Sequence, residues 1–298
     1  MRVYPVFDEF KNAFNRYNNA HVQLIIINVV VFLLMGIVWV FSNIGGFEWV
    51  FQLVYNQFSI PPKIGDFILR PWTFVTYGFA HSLDIYHILF NMLFLYWFGR
   101  LFIEYLGNDK LIAIYLLGVM AGGLVYLLLF NTVPFFASRS DFPGMVGASA
   151  AVYAVMVATA TLLPDYTFHM LLIGPVRIKY IAAFFIVVSF LGTVGSNMGG
   201  NIAHLGGALM GYIYTRQLQV GVNWGGWITT VLNWFAELFK PSPKVKVSYR
   251  KAESPNTARP APGISQAEID AILDKISAGG YESLTKEEKE KLFKASKK

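Results

Sequence analysis

The sequence predicts an all-α fold, a polytopic membrane helix bundle of six spans with a small cytoplasmic helical hairpin as its tail. Three observations predict it. Of 298 residues, 55% are hydrophobic and 14% charged, a balance too apolar for an ordinary water-soluble domain. Six apolar segments approach the roughly 20 residues that a helix needs to cross the hydrocarbon layer. Residues 264–298 instead mix charged and apolar positions with helical periodicity.

Residues 1–20 are expected to be a cytoplasmic N-terminal segment. They are too mixed in charge for the basic end of a signal peptide and no small-residue cleavage site follows, so the first span is expected to be retained. In the membrane domain, 21–219, that span covers 22–41, and the others cover 86–103, 111–130, 148–163, 180–194 and 202–218. The connection 42–84 is long and aromatic, which predicts that it lies in the interface or dips partway into the bilayer. Trp224, Trp227 and Trp234 make 220–240 an interfacial amphipathic helix, with a seventh span as the alternative. Pro, Ser, Lys and Ala without periodicity make 241–263 a flexible linker. In the hairpin, Ile269, Ile272, Leu273 and Ile276 share one face, Gly279 and Gly280 end the first helix, and Thr285 with Glu288 forms a capping box for the second. The hairpin is either a solvated appendage or the seat of an unidentified partner.

The net charge of +6 owes much to the C-terminal Lys and Arg, so it reads as a topology signal rather than a nucleic-acid footprint, and no nucleic-acid partner is expected. In a six-span bundle, Lys11, Arg16, Arg100, Lys110, Arg177, Lys179, Arg216 and the Lys-rich tail fall on one side, with Lys63, Arg70 and Arg139 on the other. This predicts a multi-pass protein of a bacterial inner membrane with both termini cytoplasmic. Cysteine is absent, which excludes disulfides, thiolate metal sites and a cysteine nucleophile. Neither a metal nor a cofactor is expected.

Polar groups inside spans are costly unless they have a partner or a task. Of five histidines, His21 precedes the first span and His169 is placed in a loop after Pro164, leaving His81, His87 and His204. His87 and Asn91, four residues apart, lie on one helical face and can donate to one point; alternatively they join neighbouring helices. Ser149 falls in the first turn of 148–163, where free backbone N–H groups supply what an oxyanion needs; alternatively it bonds back to a carbonyl one turn earlier. Gly207 and Gly211 form a small-xxx-small face with His204 one turn before. If that face meets 148–163, His204 reaches Ser149 as a general base; otherwise the glycines only pack and His204 only hydrogen-bonds.

Taken together, Gly147-Ala148-Ser149-Ala150, the His-x-x-x-Asn of His87 and Asn91, the Ala-His-x-x-Gly-x-x-x-Gly of Ala203 to Gly211 and the run FAHSLDIYHILFNMLFLYWFG resemble the rhomboid family of intramembrane serine proteases, over about residues 19–218. The resemblance implies a six-span core in which Ser149 is the nucleophile and His204 the base, a dyad without the third carboxylate of soluble triads. It implies that His87, Asn91 and the Ser149 backbone N–H bind the oxyanion. Tyr153 matches the aromatic that packs against the imidazole and so orients it. Gly147, Gly207 and Gly211 are assigned to close packing. Substrates would be single-span transmembrane proteins in the lipid bilayer. Arg70-Pro71-Trp72 stands in altered order where many rhomboids have a Trp-Arg pair and is given no role; Ala150 stands where many have Gly; the hairpin is outside the family core.

The loop 195–200, with three glycines, is expected to act as a movable cap over a hydrophilic cavity, with substrate helices arriving laterally beside the fifth span. Two other functions compete. A rhomboid-like pseudoprotease that escorts clients has no need of Ser149, His204, His87 and Asn91 together. A small transporter predicts internal repeats, which the sequence does not contain.

Overall fold

A computed structural model describes residues 18–141, 144–170, 174–238 and 265–296, in two compact units, 1–240 and 241–298. Most of the N-terminal segment, with Lys11 and Arg16, and the linker 241–263 lie outside the described residues.

The first unit runs α1 (Ala20–Ile44), α2 (Glu48–Phe58), short helices at Ile64–Leu69 and Thr73–Thr76, a 3-10 turn at Tyr77–Phe79, α3 (Ile85–Leu106), α4 (Asn108–Thr132), a turn of helix at Pro134–Ala137, α5 (Ser149–Leu162), β1 (Thr167–Met170), β2 (Gly174–Arg177), α6 (Ile178–Gly192), α7 (Met198–Gln219) and α8 (Gly226–Leu238). By length and composition α1, α3 and α4 can each cross a membrane. α5 and α6 are equally apolar but only 14 and 15 residues long. α7 has 22 residues, five of them Gly, and its apolar character is correspondingly diluted.

The six predicted segments all fall on helices, within a few residues at each end. In α1, the buried His21, Leu24, Asn28, Met35 and Ser42 repeat at helical spacing and make one stripe toward the bundle. Its other side exposes Leu33, Leu34, Ile37 and Phe41, a surface suited to lipid. Asn28 Nδ2 donates to Tyr115 Oη at 2.9 Å, and Tyr115 in turn donates to the Gly78 carbonyl at 2.7 Å, tying α1, α4 and the 3-10 turn together.

α5 is the central helix, with α3, α4, α6 and α7 around it. Its sequence SAAVYAVMVATATL explains this: Ala and Val leave its flanks slim, and Ala150 to Val152 and Ala154 to Ala160 are buried. The closest approach is to α7. A Cβ on Gly207 would fall inside the Ala150 carbonyl, and one on Gly211 inside the Ala154 carbonyl, so these two glycines bring backbone against backbone.

Two expectations need correction. The Gly-rich connection between α6 and α7 is shorter than 195–200: α7 already begins at Met198, and Gly199 and Gly200 are buried in its first turn. Asn201 causes this by donating Nδ2 to the Gly192 carbonyl at 3.0 Å and the Asn197 carbonyl at 2.9 Å, folding the connection onto the helix start. His169 lies in a strand rather than a loop, because β1 and β2 pair antiparallel from Thr167↔Arg177 to Met170↔Gly174. Four-residue strands carry too little alternation to be read from the sequence. Within 42–84 most residues are helical, and the segment is pinned by a two-way bridge, Ile60 N to Met145 O at 3.0 Å and Met145 N to Ile60 O at 2.9 Å. Among the described residues the fold remains all-α apart from β1 and β2.

The second unit contains α9 (Gln266–Gly279), a 3-10 turn (Tyr281–Ser283) and α10 (Lys286–Ser296). Gly280 ends α9 at φ 73°, a left-handed conformation that glycine adopts freely. Thr285 and Glu288 cap α10 reciprocally, at 2.7 and 3.4 Å, as the pattern predicts. The same box at Ser265 and Glu268 was not anticipated. Leu273 also departs from expectation: Ile272 is buried, whereas Leu273 is 49% exposed.

The Thr285 N–H, and after it the Lys275 ammonium, holds the Glu288 carboxyl down to about 2 from its usual 4.5. A lowered folded-state value means that the carboxylate supports the hairpin above about pH 4.5 and that this support is lost as pH falls through 2. In a carboxyl 13C titration of the full chain, Glu288 is expected to turn over near pH 2, and Lys275→Gln to move that midpoint upward.

Candidate active site

The segment before α5 is fixed from two directions before it delivers Ser149. Met145 is held by the bridge to Ile60, and the Gly147 N–H donates to the Tyr77 carbonyl at 3.0 Å. Gly147 has φ 143°, a region that L side chains rarely adopt. The chain then turns into α5, with Ser149 as the first helical residue. First-turn N–H groups have no carbonyl within their own helix, so the amide of Ser149 and its neighbours can face a ligand.

From α7, His204 places Nε2 2.7 Å from Ser149 Oγ. The Gly207 contact accounts for this reach, since His204 lies one turn earlier on the helix that touches the Ala150 carbonyl. Tyr153, one turn after Ser149, stacks on the His204 ring with centroids 4.3 Å apart and planes at 11°.

α3 supplies the opposite wall. The ordinary first-turn cap of this helix is Asp84, which accepts from the Tyr86 N–H at 2.9 Å. His87 Nδ1 lies 2.7 Å from Ser82 Oγ, and the His81 ring meets the His87 ring edge to face at 5.1 Å. A Cβ on Gly147 would stand 3.2 Å from His87 Nε2 and 3.3 Å from Ser149 Oγ. Gly147 therefore leaves open a small space bordered by both atoms. This refines its assigned packing role: it packs against a side chain of the site rather than against another helix. Asn91 lies on the same face of α3 as His87, but one hydrogen of its Nδ2 is committed to the His87 carbonyl at 2.8 Å, leaving one to donate elsewhere.

Ser149, His204, Tyr153, Ser82, His87 and Asn91 line one cavity of about 770 Å³, together with Phe94, Phe185 and the first turn of α7. The structure thus brings Ser149, His204, Tyr153, His87 and Asn91 to one place, with Gly207 and Gly211 holding α7 against α5. His169 and Arg70 do not line this cavity. Two hydroxyls of the site were not singled out from the sequence: Ser82, beside His87, and Ser189 on α6, whose Oγ is 3.1 Å from His204 Nδ1. Ser189 carried a readable signal, a lone hydroxyl in the apolar run FFIVVSFLG.

Residues 69–219, just over half of the chain, match a family model described as Rhomboid domain. Residues 263–298 match one described as a family of unknown function (DUF6576). RHOMBOID-like protein 12, mitochondrial, of Arabidopsis thaliana is 33% identical over 182 residues, which are 57% of this chain and 53% of that protein. The chain therefore spans about half the length of this relative.

Proposed function

Because the chain belongs to the rhomboid family, integral membrane proteins whose general activity is proteolysis within the membrane, we propose that it is a serine endopeptidase acting through a Ser149–His204 dyad. One observation carries the reading: the 2.7 Å contact of His204 Nε2 with Ser149 Oγ at the head of a helix, inside a cavity.

Ser149 gives its hydroxyl proton to His204 Nε2 as Oγ attacks the scissile carbonyl carbon. The carbonyl oxygen becomes the oxyanion and moves into the space beside Gly147, where the Ser149 N–H, the uncommitted Asn91 hydrogen and His87 Nε2–H donate to it. Ser82 Oγ, 2.7 Å from His87 Nδ1, suits that last donor: with the hydroxyl donating to Nδ1, the ring hydrogen is on Nε2. When the intermediate collapses, the leaving amine takes the proton from His204 and the acyl group stays on Ser149. Water then attacks the ester with His204 again as base, restoring both side chains. Substrates are single-span transmembrane proteins whose helix unwinds to present a carbonyl. The experiment is fluorophosphonate labelling of the purified protein beside Ser149→Ala; equal labelling of the two sinks the proposal.

The site lies in a bacterial inner membrane with both termini cytoplasmic, a reading supported by Arg100, Lys110, Arg177, Lys179 and Arg216 on one side of a six-span bundle. The absence of cysteine offers a clean test, since an introduced thiol is the sole target for a maleimide. With a membrane-impermeant reagent, Ser138→Cys is expected to react in intact cells and Ser296→Cys only after lysis. The opposite pattern inverts the topology.

A further inference from the structure

We infer that Ser189 is a positioning residue that fixes the tautomer and ring orientation of His204, an inference that rests on the dyad reading above. A stacked aromatic cannot do this alone. Rotating the imidazole by half a turn about Cβ–Cγ exchanges each nitrogen with a carbon yet leaves the 4.3 Å stack on Tyr153 almost unchanged. Stacking therefore fixes the plane of the ring and leaves open which atom faces Ser149. In soluble triads a carboxylate on the far nitrogen makes that choice.

In this chain the choice falls to a run of hydrogen bonds whose direction is set at one end by a carbonyl. Tyr153 Oη donates to the Phe185 carbonyl at 3.3 Å, and a carbonyl can only accept. With its hydrogen committed there, Tyr153 Oη accepts from Ser189 Oγ at 2.8 Å. Ser189 Oγ, its own hydrogen spent, accepts at 3.1 Å from His204 Nδ1, which must then carry the ring hydrogen. Nε2 is left with its lone pair toward Ser149 Oγ. The opposite polarity would require Tyr153 to abandon the Phe185 carbonyl.

Ser189 is 1% exposed, so water is a poor substitute for its hydroxyl. When Nε2 takes the Ser149 proton, the Nδ1–H donation persists and stabilises the imidazolium, an interaction stronger in the charged state than in the neutral one. Ser189 and Phe185 both belong to α6, so seating of this helix and correct presentation of the base are one event.

The test is a set of variants at one position, assayed in liposomes on a single-span reporter with Ser149→Ala and His204→Ala alongside. Ser189→Ala and Ser189→Val, the latter close in shape to threonine without the hydroxyl, are expected to lower kcat about ten-fold with KM little changed. Ser189→Thr keeps the hydroxyl and is expected to recover most of that loss. In 15N-histidine spectra, with the His204 signal identified by its loss in His204→Gln, wild type is expected to carry its hydrogen on Nδ1 and Ser189→Val to show a mixture. Equal rates for Val and wild type, equal losses for Thr and Val, or an unchanged tautomer in Val would each overturn the inference while leaving the dyad intact. Cleavage that survives in Ser149→Ala would instead remove the dyad, and this inference with it.

Discussion

Ser149→Ala is expected to reduce turnover by at least about 10⁴-fold and to abolish fluorophosphonate labelling, with the protein still folded. The hydroxyl is partly exposed at the head of α5, and its Oγ lies 2.7 Å from His204 Nε2. His204→Ala is expected to cost nearly as much. The double variant should be scarcely worse than either single one, because the two side chains act on one step and their contributions do not add. Progress curves on a single-span reporter in liposomes measure all three. Losses that multiplied in the double variant would show that the two residues act separately, against a shared proton transfer.

Gly207→Val is expected to remove activity by another route, destabilising the bundle by about 3 kcal/mol and lowering kcat by about a hundred-fold in whatever remains folded. A Cβ there falls inside the Ala150 carbonyl, which belongs to buried backbone and cannot rotate away. α7 must therefore retreat from α5, and His204 retreats with it. Gly36→Val is the control: nothing lies within 4 Å of a Cβ at Gly36, and its stability and turnover should match wild type. Thermal unfolding in detergent gives the first quantity and reporter cleavage the second. A Gly207→Val protein as stable and active as wild type would mean that the α5 and α7 backbones are not in contact.

The sequence made some of this legible and not the rest, for reasons that can be located. α1, α3 and α4 are continuous apolar runs whose length alone identifies them. His87, Asn91, Ser149 and His204 stand out because polar or reactive groups within apolar helices invite explanation, Tyr153 is legible only through the family resemblance, and Gly207 and Gly211 mark a face that a neighbouring helix can approach. The start of α7 is not legible because glycine is normally a reason to end a helix; here Gly199 and Gly200 are admitted by tight packing, against Tyr126 in the first case. β1 and β2 were missed because pairing is a non-local property that four residues cannot announce. The importance of Ser189 is not legible in the sequence because it lies in a chain of hydrogen bonds through Tyr153 to Phe185, which joins α6 to α5 and α7.

α5 has a further consequence through its length. Fourteen residues rise about 21 Å, whereas the hydrocarbon layer is about 30 Å thick. A helix of this length with its Leu162 end at one face of the layer would stop about 9 Å short of the other, leaving Ser149 submerged. The shortfall equals about six residues of a substrate helix. Under the proposed dyad α5 would be a depth gauge: it would set how far down a passing helix the cut falls, so that vertical position in the bilayer screens peptide bonds before any side chain is inspected.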